Sequence, residues 1–256
     1  MRDLVTGHLG FIGSHLNERI GNGIDIKMGV DIRSCEFTER FGVIFHTAAM
    51  ASIPKSFEDP VLSHDHNVTG TLRILEYARQ AGAKVVFSSS SSVKDLMSPY
   101  AAQKSICEEY MKLYWKLGVK SVALRYFNVF GERQEIANDG YQLVLSVFLD
   151  QKKKGNPFTI VGTGEQRRDF VYVKDVVDAN IRAADYLDRA TGFEAIDIGT
   201  GVNYSVNEVA DMIDKNNSRT FLPPRNEPFE NKAKITKAKK LLGWKPTVTL
   251  PQWLAS

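Results

Sequence analysis

The stretch Thr6-Gly7-His8-Leu9-Gly10-Phe11-Ile12-Gly13 decides the fold prediction for this chain. Its glycines recur at every third position, between an apolar run at residues 4–6 and a helical pattern at residues 11–20. Residues without a Cβ let the backbone turn tightly and approach a pyrophosphate, and the following helix N-terminus offers free N–H groups. The position between a strand and a helix favours a dinucleotide-binding turn over an ordinary strand–helix connection.

Apolar runs and amphipathic stretches alternate along the rest of the chain. We predict strands at residues 4–6, 24–30, 43–46, 84–88, 121–126 and 195–198, and helices at residues 11–20, 61–80, 99–117, 142–153, 174–188 and 206–215. Strand–helix–strand alternation predicts an α/β fold with a parallel sheet covered on both faces. From about residue 131 the pattern loosens, which indicates a smaller lobe built mainly from the C-terminal half.

Composition excludes several classes of protein. The chain has 256 residues, 43% hydrophobic and 25% charged, with a net charge of +3, so we expect a folded protein with no broad basic face for nucleic acid. No long apolar run predicts a membrane span, and the N-terminus begins as a strand rather than a signal peptide. Two cysteines fit a reducing cytoplasmic location, and the histidine spacing argues against a metal site.

An acidic residue about 20 positions after the glycines commonly binds the adenosine ribose. Asp31 ends the predicted strand 24–30 and is the candidate, with a strand-end cap as the alternative. Its carboxylate would repel a 2′-phosphate and so favours NAD over NADP. Arg33 weakens this preference, because it could pair with such a phosphate.

Tyr100 and Lys104 form the candidate catalytic pair. Ser98 and Pro99 predict a helix start, which puts Tyr100 and Lys104 on one helical face. A nearby ammonium favours the phenolate, so Tyr100 could exchange protons near neutral pH. Alone this spacing is common on surface helices, but residues 88–92 are all serines that follow the predicted strand 84–88, and strand ends face the ligand crevice.

These motifs resemble the extended short-chain dehydrogenase/reductase family, in particular its NAD-dependent epimerase/dehydratase branch and most closely the UDP-sugar 4-epimerases. Further matching stretches are Phe45-His46-Thr47-Ala48-Ala49, Asn67-Val68-Thr69-Gly70-Thr71, Arg125-Tyr126-Phe127-Asn128-Val129-Phe130-Gly131, Arg168-Asp169-Phe170-Val171 and Leu241-Leu242-Gly243-Trp244-Lys245-Pro246. The resemblance implies a Rossmann-type doubly wound sheet with a small C-terminal substrate-binding lobe. We expect residues 1–130 with about 169–200 to bind the cofactor, and residues 131–168 with about 201–256 to form the lobe.

The resemblance also implies site roles. Tyr100 would be the proton acceptor, Lys104 the ribose ligand and Ser90 the assisting hydroxyl, with Ser89 and Ser91 as close competitors. Cofactor contacts would come from Gly7, Gly10, Phe11, Ile12, Gly13, Asp31, Arg33, Ala48, Ala49, Asn67, Ser88, Tyr100 and Lys104. The substrate contacts would come from Ser90, Asn128, Arg168 and Arg225. A loop or N-cap role for Asn67, and surface ion pairs for Arg168 and Arg225, are the alternatives.

The chain departs from the family pattern at two places. Too few residues separate Asp31 from strand 43–46 to hold the usual edge strand and helix, so we expect that unit to be deleted. An alternative alignment makes Asp31 the acidic residue of that missing edge strand. The loop between Ser90 and Tyr100 is also short, with Lys94-Asp95 where the family usually has Tyr-Gly. We therefore expect an open adenine pocket and a shortened roof over the sugar.

The resemblance implies a nucleotide-sugar 4-epimerase that transiently oxidises a UDP-hexose, or its N-acetyl form, to a 4-keto sugar with bound NAD. A nucleotide-sugar 4-ketoreductase and a catalytically impaired NAD-binding scaffold are the alternatives. The family also implies a cytoplasmic homodimer. Helices 61–80 and 99–117 would form its interface, with Leu72, Leu75, Met111 and Tyr114 as candidates, although core packing explains these side chains equally well.

Overall fold

The structure is a computed structural model, and it describes residues 1–134 and 143–256. The strands are β1 (Arg2–Thr6), β2 (Gly23–Ile24), β3 (Phe41–His46), β4 (Lys84–Ser90), β5 (Ser121–Tyr126), β6 (Val129–Phe130), β7 (Phe158–Val161), β8 (Arg167–Asp169), β9 (Val171–Tyr172), β10 (Glu194–Ile198), β11 (Asn203–Ser205) and β12 (Arg219–Leu222). The α-helices are α1 (Phe11–Ile20), α2 (Ile53–Glu58), α3 (Pro60–His64), α4 (Gly70–Ala81), α5 (Pro99–Lys116), α6 (Val144–Lys153), α7 (Val173–Tyr186), α8 (Val206–Asp214), α9 (Thr236–Leu242) and α10 (Leu250–Leu254).

Six of the described strands form one parallel sheet in the order β10-β5-β4-β3-β1-β2. Alternate residues of its central strands face opposite sides, as the strand period requires. On β4, Val86 packs in one apolar cluster with α1 and α7, whereas Val85 and Phe87 pack in a second cluster with α4 and α5. The predicted α/β fold with helices on both faces is therefore confirmed.

The sheet edge at β2 differs from the prediction. We predicted a strand at residues 24–30, and this was wrong: β2 ends at Ile24, and Ile26–Met28 form a 3₁₀ turn that begins after the N-cap Asp25. Gly29 follows in a left-handed conformation with φ +80°, which turns the chain away from the sheet. The apolar residues of this stretch therefore do not extend the strand.

The structure confirms the expected deletion of the edge unit. Between β2 and β3, the described residues form no further strand or α-helix, and β2 is the outermost strand of the sheet. Phe37 fills part of the gap, because its ring lies 4.5 Å from that of Tyr77 and 6.1 Å from that of Phe41. The Tyr77 hydroxyl donates to the carbonyl of Glu39 at 2.5 Å. The segment between β2 and β3 therefore packs on aromatic rings at the edge where the family pattern has a further strand and helix.

The predicted helices at residues 11–20, 99–117, 174–188 and 206–215 correspond to α1, α5, α7 and α8. The predicted helix 61–80 is interrupted by a π-helical turn, Asp65–Thr69, between α3 and α4. Gln142, the first residue of the predicted helix 142–153, lies outside the described residues, and the rest corresponds to α6. In the part of the chain that the structure describes, no helix is both long and apolar enough to cross a membrane.

The described residues of the C-terminal half form three small sheets, namely an antiparallel pair of β8 with β11 and two parallel pairs, β7 with β12 and β6 with β9. Asp169 joins several of its segments. Its buried carboxylate accepts hydrogen bonds from the backbone N–H groups of Thr200, Gly201 and Ala233, and from the Thr200 hydroxyl. The division into a cofactor domain and a substrate lobe stays a prediction.

Candidate active site

A groove of about 1170 Å³ runs along the carboxyl ends of the central strands. Its lining comes from the glycine-rich turn after β1, the ends of β3, β4 and β5, the start of α5, and two segments of the C-terminal half around Arg168 and Arg225. Ligands of open parallel sheets bind at this edge, because the connections there diverge and leave a crevice. The groove is therefore the candidate active site.

The glycine-rich turn has the geometry of a phosphate cradle. Gly7 has φ +73°, and a Cβ there would lie 2.7 Å from the Ala48 Cα. A Cβ at Gly13 would lie 2.1 Å from the Gly7 carbonyl oxygen, so both positions require glycine. Gly10 is the N-cap of α1 and provides no side-chain cap, which leaves the first N–H groups of the helix for an anion.

The acidic residue at the end of β2 is Asp25 rather than Asp31. Asp25 is buried, and its carboxylate accepts the Leu9 N–H of the glycine-rich turn at 3.0 Å and the Lys27 N–H at 2.9 Å. The sequence signal was the short run Gly23-Ile24-Asp25, which the longer apolar stretch to Val30 concealed. Asp25 lines the groove beside the glycine-rich turn, where a ribose hydroxyl could reach its carboxylate.

Asp31 and Arg33 bind each other. The Arg33 guanidinium lies 2.5 Å from the Asp31 carboxylate and 2.6 Å from that of Asp65, and its side-chain hydrogen bond lowers the pKa of Asp31. Asp31 lines the groove, but it ends no strand, so the prediction that it ends strand 24–30 was wrong and the alternative alignment to an edge strand does not fit either. Arg33 is not among the described residues that line the groove. The two ion pairs therefore leave it poorly placed to select a 2′-phosphate.

His46 connects the strand ends under the cofactor groove. Thr71 donates its hydroxyl to the Asn67 carbonyl at 2.6 Å, so it must accept from His46 Nε2 at 3.0 Å. His46 Nδ1 then accepts from the Thr6 hydroxyl at 2.8 Å. Burial, together with the Lys104 charge, lowers the pKa of His46 to about 3. His46 is therefore a neutral, fully hydrogen-bonded brace.

Ala48 and Ala49 line the groove as expected, whereas the described lining does not include Asn67. The Asn67 side chain is buried, accepts the Met50 N–H at 2.8 Å and donates to Gln103 at 2.8 Å. A direct cofactor contact of Asn67 is therefore not supported. Its hydrogen bonds instead fix the segment after β3 relative to α5.

The serines at the end of β4 have different partners because successive side chains face opposite sides of the strand. The Ser89 hydroxyl donates to buried Glu108 at 2.6 Å, and the Ser88 hydroxyl lies 3.1 Å from that of Tyr126. Ser90 lines the groove, and its hydroxyl lies 2.8 Å from the Ser92 hydroxyl. Ser89 and Ser91 line the groove as well, but the Ser89 hydroxyl is bound to Glu108 and the Ser91 hydroxyl to Asn231, whereas the Ser90 hydroxyl is bound within its own turn, to Ser92. Among the three candidates the geometry therefore favours Ser90.

Tyr100 and Lys104 both line the groove near these serines. Ser98 caps α5 by accepting the Ala101 N–H at 3.1 Å, which confirms the predicted helix start. The Lys104 ammonium lies 5.9 Å from the centre of the Tyr100 ring and donates to the Ser88 carbonyl at 2.7 Å. Burial lowers the pKa of Lys104 to about 8. A positive charge is thus held between the tyrosine and the end of β4.

Asn128, Arg168 and Arg225 line the groove, with Glu227 beside the two arginines. Asn128 donates to the Asp169 carbonyl at 2.8 Å, and Arg168 forms an ion pair with Glu227 at 2.7 Å. Arg225 is exposed and forms no ion pair with any residue that the structure describes. Two guanidinium groups and an amide could hold a diphosphate here, with Glu227 exchanging for the ligand on Arg168.

The groove fits a dinucleotide and a second phosphorylated ligand. A pyrophosphate could bind at the glycine cradle and the uncapped N-terminus of α1, and a ribose could bind at Asp25. Lys104 lies where a second ribose could bind. The two arginines offer a separate anion site. Residues of the cofactor groove that sequence reasoning missed are Asp25 and the partner of Arg168, Glu227.

Comparisons with known proteins identify the family of the chain. The family model described as the NAD dependent epimerase/dehydratase family matches residues 4–199. The UDP-glucose 4-epimerase of Mycolicibacterium smegmatis is 32% identical, over 100% of this chain and 96% of its own length. The crystal structure of the Thermus thermophilus UDP-glucose 4-epimerase in complex with NAD is 30% identical with a TM-score of 0.84, over 99% of this chain and 96% of that one.

The UDP-N-acetylglucosamine 4-epimerase from Methanobrevibacter ruminantium, in complex with UDP-N-acetylmuramic acid, is also 30% identical. Its TM-score is 0.88, over 99% of this chain and 95% of that one. The family model matches most of the chain, and these relatives align over nearly all of it. The chain therefore belongs to the NAD-dependent epimerase/dehydratase family.

Proposed function

We propose that this chain is a UDP-sugar 4-epimerase that acts on UDP-glucose and UDP-galactose or their N-acetyl forms. The observation that carries the proposal is the convergence of Ser90, Tyr100 and Lys104 on the groove that also contains the glycine cradle. The names of the aligned relatives support the same activity. No part of the proposal depends on a metal ion.

Bound NAD would supply the reversible two-electron oxidation at C4 of the sugar. Tyr100 would accept the proton of the 4-hydroxyl and later return it, with the ammonium of Lys104 favouring the phenolate. The Ser90 hydroxyl would donate to the sugar oxygen on which charge develops. The two hydroxyls thus act on one oxygen from the end of β4 and the start of α5.

The diphosphate would be held by Asn128, Arg168 and Arg225 while the 4-keto sugar rotates within the site. Anchoring the phosphates keeps the sugar within reach of Tyr100 and lets either face of C4 be presented. The sugar must rotate between the two half-reactions, and the short connection between Ser90 and Tyr100 would leave space above it for this rotation. The sugar's overall oxidation state is the same before and after the reaction.

Incubation of the NAD-loaded protein with UDP-galactose and UDP-N-acetylgalactosamine tests the activity. Chromatography should show each substrate converting to an equilibrium mixture with its C4 epimer, without net formation of NADH. Stoichiometric consumption of NADH or NADPH with a 4-keto sugar would instead identify a ketoreductase. Retention of NAD without turnover of any UDP-, GDP- or dTDP-sugar would identify a binding scaffold.

We also propose a homodimer that forms through an apolar patch on α3 and α5. The patch consists of Val61, Leu62, Ile106, Leu113 and Leu117, which are 78%, 43%, 40%, 52% and 60% exposed, respectively. Ile106 and Leu113 of α5 and its C-cap residue Leu117 follow helical spacing on one face. A mass of two chains by light scattering, reduced to one chain by Leu113→Glu, is expected, whereas a wild-type monomer would refute the dimer.

Two interface candidates from the sequence were wrong. Leu75 and Met111 are fully buried in the core beside the sheet, so neither can contact another chain. Tyr114 is half-buried and donates its hydroxyl to Glu76, and Leu72 is half-buried. For location, we propose the cytoplasm, because Cys35 and Cys107 are both free thiols.

A further inference from the structure

The turn after Ser90 carries a carboxylate into the groove. Asp95 follows the 3₁₀ turn Ser91–Lys94, for which Ser90 is the N-cap, and its N–H donates to the Ser92 carbonyl at 3.2 Å. It lines the groove together with Ser92 and Met97, and along the chain it lies between Ser90 and Tyr100, whose hydroxyls are assigned to the sugar. Asp95 is exposed and has no salt bridge to any residue within 1–134 and 143–256.

The neighbouring lysine does not neutralise Asp95. The Lys94 ammonium lies 2.5 Å from the Asp197 carboxylate and 4.9 Å from the centre of the Phe127 ring. This ion pair fastens one end of the turn to β10. At the other end, Asn231 donates to the Ser91 hydroxyl at 3.1 Å. Two contacts with separate segments therefore hold the turn, and Asp95 keeps its place in the groove.

The other charges of the groove define which part of a ligand lies beside Asp95. The candidate diphosphate ligands Arg168 and Arg225 belong to the C-terminal segments, whereas Tyr100 and Ser90 belong to the end of β4 and the start of α5. With its phosphates on the arginines and its C4 at Tyr100, a nucleotide sugar would place its ring on the side of the groove formed by the end of β4 and the start of α5, and the turn that joins these two elements carries Asp95. A sugar bound in this way would meet the negative charge of Asp95.

We propose that Asp95 is a specificity-determining residue that selects neutral sugars and disfavours uronic acids. This inference rests on the proposed function, because it takes a nucleotide sugar as the ligand. An ionised carboxylate accepts hydrogen bonds from hydroxyl or amide groups, but it repels the C6 carboxylate of a uronic acid. For two carboxylates roughly 6 Å apart in a partly solvated groove, the repulsion corresponds to about a tenfold loss of affinity.

Titration calorimetry on the NAD-loaded protein tests this selection, with UDP-glucose and UDP-glucuronate as the two ligands. The Kd of UDP-glucuronate should exceed that of UDP-glucose by about tenfold in the wild type, and Asp95→Asn should remove most of that ratio by tightening UDP-glucuronate. The matched control is Asp178→Asn on α7, which removes one surface charge that pairs with Arg182 away from the groove. Asp178→Asn should keep the wild-type ratio of the two Kd values. High salt should reduce this ratio in the wild type, because salt screens the repulsion between the carboxylates.

An unchanged Kd ratio in Asp95→Asn would overturn the inference, as would an equal change in Asp178→Asn. The inference would also be overturned if neither ligand bound to either protein, the wild type or Asp95→Asn. The UDP-galactose epimerisation assay separates the two claims. If the protein epimerises UDP-galactose but Asp95→Asn leaves the Kd ratio unchanged, the proposed function stands and the role of Asp95 is refuted. If Asp95→Asn changes the Kd ratio but the protein does not epimerise UDP-galactose, the role of Asp95 stands and the proposed function is refuted.

Discussion

Replacement of Gly13 by alanine tests the cofactor cradle most severely. A Cβ at this position would lie 2.1 Å from the Gly7 carbonyl oxygen and 2.9 Å from the Thr47 hydroxyl oxygen. The Gly7 oxygen belongs to the backbone and cannot rotate away. The Thr47 hydroxyl donates to the Thr6 carbonyl at 2.6 Å, so moving it breaks a hydrogen bond at the end of β1.

The overlap sets the size of the effect. The turn must move by roughly 1.4 Å to lengthen this 2.1 Å separation to an ordinary contact of roughly 3.5 Å. Overpacking of this kind costs about 1–3 kcal/mol of unfolding free energy. A displacement of about 1 Å at a binding site typically costs about a hundredfold in function, so we expect the Kd for NAD to rise by about that factor.

Isothermal titration of NAD into the apoprotein, with thermal melting alongside, measures both effects. Gly192→Ala is the matched control, because its Cβ meets no atom within 4 Å and its φ is not left-handed. The control should leave both the Kd for NAD and the Tm unchanged. A Gly13→Ala protein that binds NAD with the wild-type Kd would refute the cradle.

Three further predictions follow from hydrogen bonds and burial in the site. Ser90→Ala should lower kcat for UDP-galactose by about a hundredfold without lowering the Tm. Ser89→Ala should lower the Tm instead, because it takes a donor from buried Glu108. Equal kcat losses in the two variants would contradict the assignment of Ser90. For Lys104, burial lowers the pKa from 10.5 to about 8, so the folded apoprotein releases a proton there that the unfolded chain keeps to higher pH. Unfolding free energy should therefore rise by up to about 3 kcal/mol between pH 8 and 10.5 in the wild type relative to Lys104→Met, as measured by urea denaturation. If the unfolding free energies of the wild type and Lys104→Met changed equally with pH, the result would argue against the burial of the Lys104 charge. For His46, the folded pKa of about 3 lies below the ordinary 6.5, so the unfolded chain binds the proton first and stability falls as pH drops through this range. His46→Gln should lose less stability than the wild type between pH 7 and pH 4, and an identical loss would show that His46 does not carry this dependence.

The sequence sufficed for features with a strong local signal. The glycine spacing predicted the turn between β1 and α1, and Ser98-Pro99 predicted the first residue of α5, because both depend on backbone chemistry within a few residues. The missing edge unit could also be read from the small number of residues between Asp31 and strand 43–46, compared with the family pattern. These predictions hold because no distant contact is needed to decide them.

Long-range contacts decided the rest. The apolar run 24–30 could not reveal that Gly29 turns the chain and that Asp25, rather than Asp31, ends β2. All five consecutive serines line the groove, and they could not be told apart until the structure gave their partners, which are Glu108 for the Ser89 hydroxyl and Ser92 for the Ser90 hydroxyl. The pairing of Lys94 with Asp197 joins residues distant in sequence, so the isolation of Asp95 had no local signal.

The rate of UDP-galactose epimerisation by the NAD-loaded Tyr100→Phe protein tests the central claim most directly. The variant keeps the ring and removes only the hydroxyl, so the Tm and the Kd for UDP-galactose should stay close to the wild-type values. If Tyr100 exchanges the proton of the 4-hydroxyl, kcat should fall by about a hundredfold or more. Epimerisation at the wild-type rate would contradict the proposed role of Tyr100.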